Sequence, residues 1–147
     1  MAEIARDAIL FGGADCAAAE AEANKVLDVL KAAGCDEAAV AGLTRKAAAS
    51  LGEARSLTIV LASRGDGAQD VGFDRFWRFL KRSGDQLPHL KFAVVDVGDG
   101  AVGAEVATRL EALGASKMTD AADPTKAAAA IASELAPAAG APAAPGD

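Results

Sequence analysis

Three glycine-containing segments carry the residues best placed to bind a ligand. They span residues 12–17, 63–72 and 98–103, and each follows a short apolar run. The second and third contain the same tripeptide, Gly-Asp-Gly, which alone is typical of a tight turn. Open parallel sheets bind ligands outside the carboxyl ends of their strands. Two copies at equivalent strand ends therefore indicate a shared crevice.

Few other side chains offer chemistry. Cys16 stands at the start of a predicted helix and is either a redox thiol or a small packing residue, and Cys35 falls in a turn. His89 precedes a strand without a Ser or Asp partner at catalytic spacing. Two Cys and one His are too few for a disulfide framework or a zinc site. We therefore name no catalytic residue and expect no metal.

The elements that position these segments alternate along the chain. Short apolar runs that end in glycine predict strands at 8–11, 57–62 and 90–97, with weaker strands at 38–41 and 115–118. Helices are predicted between and after them, at 17–33, 44–51, 73–82, 104–113 and 124–135. Strands that alternate with helices predict an α/β fold with a parallel sheet covered on both faces.

The end of the chain differs in composition. From about residue 137 the sequence is dominated by Ala, Pro and Gly. Such a segment cannot bury enough apolar surface to order itself. We expect one folded domain at 1–136 and a disordered tail at 137–147.

Charge and hydropathy exclude several functions. The net charge of −6 argues against a nucleic-acid binder and against attraction to an anionic membrane. No run of 18 apolar residues is present to span a bilayer, and the first ten residues resemble neither a secretory signal nor a transit peptide. We expect a cytoplasmic protein.

Several blocks of the sequence together resemble the flavodoxin-like FMN domains of diflavin reductases, the cytochrome P450 reductase group. The family has a Thr-Tyr-Gly-Asp-Gly loop and a Phe-x-x-Phe-Leu-Lys helix, and this chain has Ser-Arg-Gly-Asp-Gly at 63–67 and Phe-Trp-Arg-Phe-Leu-Lys at 76–81. The segment 90–102 is similar to the family's fourth strand and the loop after it. The resemblance covers residues 8–118. It implies a three-layer sandwich, with a five-stranded parallel sheet in the order 2-1-3-4-5 and helices on both faces.

The departures from the family fall on the positions that the resemblance assigns to FMN. The family holds the FMN phosphate in a loop close to Gly-Thr-x-Thr-Gly-Thr-Ala, whereas residues 12–18 here contain no hydroxyl. Asp15 adds a charge that opposes a phosphate, at a cost of about 4 kcal/mol at 4 Å and an effective dielectric near 20. Arg64 and Val102 replace the aromatic residues that flank the flavin ring. The family-equivalent positions are Gly12, Gly13, Asp15, Cys16, Ala17, Arg64, Gly65, Asp66, Gly98, Asp99 and Val102.

The third helix carries a basic face. Four cations, Arg75, Arg78, Lys81 and Arg82, lie away from its apolar stripe. Such a face is either solvated or a docking patch for an acidic partner. Trp77, at helical spacing within the stripe, is expected to pack in the core.

These observations favour a non-catalytic, flavodoxin-like interaction or structural module that has lost conventional FMN binding and works with a protein partner or within a larger assembly. On that interpretation no cofactor is expected. The alternative is an FMN-binding electron-transfer domain with a divergent site. Whether the chain is an enzyme stays open, with a non-enzymatic role favoured.

Overall fold

The structure is a computed structural model that describes residues 7–35, 37–62, 71–83, 86–98, 101–119 and 124–139. Strands and helices alternate throughout these ranges. The strands are β1 Asp7–Gly13, β2 Ala38–Gly42, β3 Ser56–Ala62, β4 Lys91–Asp96 and β5 Ser116–Lys117. The α-helices are α1 Cys16–Ala32, α2 Arg45–Ala49, α3 Val71–Arg82, α4 Ala101–Ala112 and α5 Pro124–Ala139. A single 3₁₀ turn, Leu51–Glu53, separates α2 from β3.

All the strand pairs are parallel, and the sheet has the order β2-β1-β3-β4-β5. The predicted fold class and strand order are confirmed. The register aligns the carboxyl ends of the three central strands, with Gly13 opposite Ala62 and Leu61 opposite Asp96. The loops that follow β1 and β4 therefore emerge at the same edge of the sheet.

One face of the sheet is covered by α1 and α5. Small residues, Ala19 and Ala23, bring α1 close to the strands, and Val26 and Leu30 extend the same buried stripe. Ile131 of α5 is fully buried in this layer. The alanine-rich composition thus allows close packing between the helices and the sheet.

The opposite face is covered by α2, α3 and α4. Phe76 and Leu80 of α3 and Val106 and Leu110 of α4 are buried against the strand side chains that point to this side. Trp77 is half-buried and packs against this layer at its margin. The two layers of helices complete a three-layer sandwich.

The amino edge of the sheet is held by a buried ion pair. The Asp7 side chain is only 1% exposed and accepts hydrogen bonds from Arg55 Nε at 3.0 Å and Ser56 Oγ at 2.8 Å. A further hydrogen bond runs from Arg55 Nη2 to the second Asp7 oxygen. The hydrogen bond with Asp7 raises the pKa of Arg55 above its ordinary value. These contacts fasten β1 to β3.

The element boundaries differ from the sequence-based ones mainly at the last helix. It continues to Ala139, past the predicted end near residue 135, and includes Pro137 in its last turn. Residues 137–139 of the expected tail therefore belong to α5. Residues 140–147 lie outside the described residues.

Candidate functional site

A cleft of about 460 Å³ opens at the carboxyl edge of the sheet. It lies between the turn that joins β1 to α1 and the end of β4. Ligand pockets commonly have volumes of about 300–1,000 Å³, and open parallel sheets place them at this edge. The cleft is lined by Ala14, Asp15, Cys16, Ala18, Ala62, Val97 and Gly98.

The turn from β1 to α1 requires a glycine. Gly13 has φ +115°, and a Cβ there would lie 2.8 Å from the Ala62 carbonyl oxygen. That oxygen accepts hydrogen bonds from the backbone N–H groups of Ala14 at 2.9 Å and Asp15 at 3.2 Å. The first residues of the turn are thus fastened to the end of β3, which forms the floor of the cleft.

Asp15 caps α1 and exposes its carboxylate to the cleft. Its Oδ1 accepts a hydrogen bond from the Ala18 backbone N–H at 3.0 Å, and the residue is solvent-exposed. A carboxylate at this position satisfies one orphan N–H group and interacts favourably with the helix dipole. Cys16, half-buried, places its Sγ 3.9 Å from the Gly13 carbonyl oxygen. The start of α1 is therefore already occupied by an anion from the chain itself.

Asp96 shapes the other wall of the cleft. Its Oδ1 accepts a hydrogen bond from Gly98 N at 2.9 Å, and its Oδ2 accepts one from Gly103 N at 3.1 Å. A Cβ on Gly103 would lie 2.8 Å from the Asp96 Cβ, so the helix start approaches the strand end too closely for any larger residue. This one carboxylate bridges the end of β4 and the first turn of α4.

Val97 presents an apolar surface to the cleft. It is 38% exposed, although its backbone N–H is fixed by a 2.7 Å hydrogen bond to the Leu61 carbonyl oxygen. With Ala18 and Ala62, it gives the cleft apolar walls beside the Asp15 carboxylate.

The structure brings some of the predicted site residues together and leaves others apart. Asp15, Cys16 and Gly98 line the cleft. Gly12 is buried beneath the turn, and Ala17 is exposed on α1 without lining the cleft. The remaining predicted positions in the later loops, Arg64, Gly65, Asp66 and Asp99, lie outside the described residues.

Val102 does not flank the cleft. It lies in the first turn of α4, half-buried and packed against the core on the α3 side. Its position in the sequence matches the aromatic residue of the family, but the helix turns its side chain inward. Val97, five residues earlier, is the apolar side chain that reaches the cleft.

Several residues of the cleft were missed from the sequence. Ala18, Ala62 and Val97 line it and Asp96 supports it, and all four lie outside the predicted segments 12–17, 63–72 and 98–103. Ala62 and Asp96 could have been found from the sequence, because each is the last residue of a strand at the edge where parallel sheets bind ligands. No local signal distinguishes Ala18 from the other alanines of α1.

The four predicted docking cations are all exposed on α3. Arg75, Arg78, Lys81 and Arg82 face solvent along the helix, and none lines the cleft. Arg45 and Lys46 of α2, which sequence analysis did not select, are also exposed on this face of the sheet.

The remaining candidate groups make structural contacts. Cys35 is buried, and His89 Nε2 lies 3.0 Å from the Gly52 carbonyl oxygen. Across the described ranges, no cluster of three or more His, Cys, Asp or Glu side chains is arranged to hold a metal ion. In the same ranges, no helix combines the length and the apolar character needed to cross a bilayer.

Comparison with known proteins finds similarity in structure alone. No protein-family model matches the chain, and no curated protein matches it. A flavodoxin from Streptococcus pneumoniae TIGR4 aligns over 88% of this chain and 97% of its own, with 21% identity and a TM-score of 0.71. A short-chain flavodoxin associated with a non-canonical PDU bacterial microcompartment aligns over 91% and 98%, with 15% identity and a TM-score of 0.71. Flavodoxin 2 from Bacillus cereus aligns over 86% and 96%, with 22% identity and a TM-score of 0.65.

These likenesses correct one expectation from the sequence. The prediction that the chain has no cofactor is wrong, because the structures that it resembles are flavodoxins, and flavodoxins bind FMN. That prediction counted the missing hydroxyls and aromatic rings but not the cleft, which persists without them. The chain has a flavodoxin-like α/β fold.

Proposed function

We propose that this chain is an electron-transfer module that holds FMN in the cleft at the carboxyl edge of its sheet. The observation that carries the proposal is the cleft itself, about 460 Å³ in volume and placed at the ligand-binding edge of a flavodoxin-like fold. FMN would supply the redox chemistry, because its ring accepts and releases electrons. The chain supplies binding and orientation.

Three apolar side chains in a mainly polar cleft offer a contact surface to a planar ring. Val97 is the exposed apolar side chain at the mouth of the cleft, and Ala18 and Ala62 are small enough to leave room beside it. Burying Val97 beneath a ring would remove its apolar surface from water, at about 25 cal/mol per Å². Asp96 keeps this wall in place through its two backbone hydrogen bonds.

The turn at the start of α1 does not fit a phosphate as it stands. Three of its backbone N–H groups already donate to protein oxygens, those of Ala14 and Asp15 to Ala62 and that of Ala18 to the Asp15 carboxylate. A phosphate placed there would meet the charge of Asp15. We therefore expect the flavin ring to contact the apolar side chains of the cleft, and Asp15 to weaken FMN binding by repelling the phosphate.

The proposal implies a modest affinity and is tested by titration. FMN and riboflavin are each added to flavin-free protein, and quenching of flavin fluorescence reports binding. We expect saturable one-to-one binding of both, at concentrations of about 1–100 μM. If the fluorescence of neither flavin is quenched at concentrations up to about 1 mM, the proposal is overturned; a Kd of about 1 mM corresponds to a binding free energy of about −4 kcal/mol.

A pair of variants localises the binding. Val97→Asp places a carboxylate on the apolar wall and is expected to weaken FMN binding at least tenfold. Ser116→Asp makes the same change of charge relative to wild type on exposed β5, where Ser116 pairs with Lys91 at the amino edge. It is expected to leave the affinity within twofold of wild type. Equal loss in both variants would mean that the flavin binds elsewhere or responds only to net charge.

A further inference from the structure

A strongly basic surface runs along α2 and α3, which pack against each other. It consists of the six exposed cations of these two helices, Arg45, Lys46, Arg75, Arg78, Lys81 and Arg82. The same helices carry one acidic residue, Asp74, whereas the whole chain has a net charge of −6. Positive charge is thus concentrated on one side of an otherwise acidic molecule.

Aromatic rings hold two of these cations in place. The Arg45 guanidinium carbon lies 5.6 Å from the centroid of the Phe79 ring, and Lys81 Nζ lies 5.5 Å from that of Trp77. Both rings are half-buried, and Trp77 stacks with Phe73 at a centroid separation of 6.4 Å. Positioned cations lose less side-chain freedom when a partner binds. Arg and Trp are also the residue types that contribute most to interface energy.

The cations of the basic surface are not neutralised by ion pairs within the described part of the chain. The two salt bridges found there join Lys25 to Glu22 on α1 and Arg55 to Asp7 at the amino edge. Among the described residues, no carboxylate therefore competes with a partner for these cations.

We propose that the basic surface docks an acidic protein that exchanges electrons with this module. This inference rests on the proposed function. The geometric link is that α3 follows β3 along the chain, and the last residue of β3, Ala62, lines the cleft. A partner seated on α3 approaches the edge of the sheet where the flavin would lie. Complementary charges chiefly raise the rate of encounter and set the orientation of the two proteins.

An acidic protein fits this surface better than other polyanions do. A nucleic acid or an anionic membrane extends far beyond six cations and would be repelled by the acidic remainder of the chain. A second copy of the chain would dock its acidic side on the basic surface, a head-to-tail contact that builds filaments unless it closes into a ring. A separate acidic partner avoids both difficulties.

The test uses flavin-free protein and two probe proteins of opposite charge, an acidic plant-type ferredoxin and basic cytochrome c. Amide chemical shifts map where each probe binds. We expect ferredoxin to perturb residues of α2 and α3, and to bind at least tenfold more weakly when the salt concentration rises from 50 to 300 mM. We expect cytochrome c to leave those helices unperturbed.

Matched variants separate the surface from net charge. Arg75→Glu combined with Arg78→Glu should weaken ferredoxin binding at least tenfold, and the milder Arg75→Gln with Arg78→Gln should weaken it less. Lys25→Glu combined with Lys31→Glu makes the same change of charge on exposed positions of α1 and should alter binding less than twofold. Circular dichroism checks that each variant is folded.

The outcomes are distinct from those of the flavin titration. Three results would each overturn the docking proposal. In the first, ferredoxin perturbs chemical shifts outside α2 and α3 instead, and in the second, the two charge-reversed double variants lose ferredoxin affinity equally. The third result is tighter binding of duplex DNA or phosphatidylserine vesicles than of ferredoxin. The Arg75 and Arg78 variants should keep the FMN affinity of wild type. If the wild-type protein does not bind FMN, the proposed function is overturned, but the docking surface mapped by chemical shifts is unaffected.

Discussion

The amino edge and the carboxyl edge of the sheet each carry an aspartate beside β1, in contrasting surroundings. Asp7, at the amino edge, is 1% exposed and accepts hydrogen bonds from both Arg55 and Ser56. Asp15, at the carboxyl edge, is exposed and caps α1 through a single hydrogen bond to Ala18 N. A carboxylate has about four lone-pair sites, so Asp7 is nearly saturated and Asp15 is not.

The difference shows how one residue type serves two purposes in a single fold. A buried carboxylate must be fully paired, and removing its partner leaves an uncompensated charge, so its contribution lies in stability. An exposed carboxylate at a cleft contributes little to stability but adds a negative charge to whatever enters. The amino edge should therefore govern unfolding, and the carboxyl edge should govern which ligand binds.

Asp7→Ala is expected to have the largest effect on stability. It leaves the Arg55 guanidinium, which is 22% exposed, without its partner. Breaking a buried pair in this way costs about 3–5 kcal/mol of unfolding free energy. Urea denaturation followed by circular dichroism measures the change.

The exposed ion pair on α1 provides the control. Glu22→Gln breaks the Glu22–Lys25 pair, in which the lysine side chain is 61% exposed. Exposed pairs contribute about 0–1 kcal/mol, so the midpoint should barely move. If Asp7→Ala costs no more than Glu22→Gln, then the amino edge is not the anchor that its geometry indicates.

Asp15→Asn is expected to change ligand affinity rather than stability. Asn caps helices about as well as Asp, so α1 keeps its cap. A unit charge about 4 Å from the carboxylate costs about 1 kcal/mol in water and about 4 kcal/mol at an effective dielectric near 20. The FMN affinity should therefore rise between about fivefold and several-hundredfold, as fluorescence titration would show.

Two comparisons sharpen this prediction. Riboflavin lacks the phosphate, so its affinity should be the same in wild type and in Asp15→Asn. Asp28→Asn removes the same charge from an exposed position farther along α1 and should leave both affinities unchanged. An equal gain for riboflavin would show that Asp15 acts on the ring and not on the phosphate.

Gly13→Ala tests the backbone of the carboxyl edge. Its φ of +115° disfavours any other residue, and a Cβ would approach the Ala62 carbonyl oxygen to 2.8 Å. Such strain costs about 1–3 kcal/mol of unfolding free energy. Gly52→Ala is the matched substitution, because a Cβ there meets no atom within 4 Å. Equal stability of the two variants in urea would contradict the close approach.

The fold could be predicted from the sequence because β1, β3 and β4 are short, mainly apolar runs with glycine at or soon after their carboxyl ends. Local periodicity also located α3 and the exposure of its four cations. It could not show that Arg45 joins them, since the contact between α2 and α3 comes from tertiary packing rather than spacing. The basic surface therefore includes two cations, Arg45 and Lys46, that were not predicted from the sequence.

The site was less accessible to sequence reasoning. Matching residue by residue to the family predicts Val102 beside the flavin ring; in the structure Val102 is partly buried against the core on the α3 side, and Val97 lines the cleft. The mistaken expectation of no cofactor came from the same residue-by-residue comparison. It counted lost side chains, whereas the shape of the cleft depends on the path of the backbone. Hydrogen bonds to the Ala62 carbonyl oxygen fix the turn after Gly13, and hydrogen bonds to the Asp96 carboxylate fix the backbone after β4.

Thr58→Val is expected to have the smallest effect and the opposite sign. Thr58 lies in the middle of β3, 1% exposed, and among the described residues its hydroxyl oxygen has no hydrogen-bond partner. Replacing an unpaired buried hydroxyl by a methyl group removes its desolvation penalty, so unfolding should require about 1 kcal/mol more. Thr44→Val is the matched substitution, because the Thr44 hydroxyl caps α2 at 3.0 Å from Ala47 N. It should cost about 1 kcal/mol. If the two urea midpoints shift in opposite directions, the contribution of a threonine hydroxyl to stability depends on its hydrogen-bond partners and not on the residue type. The two aspartates indicate the same.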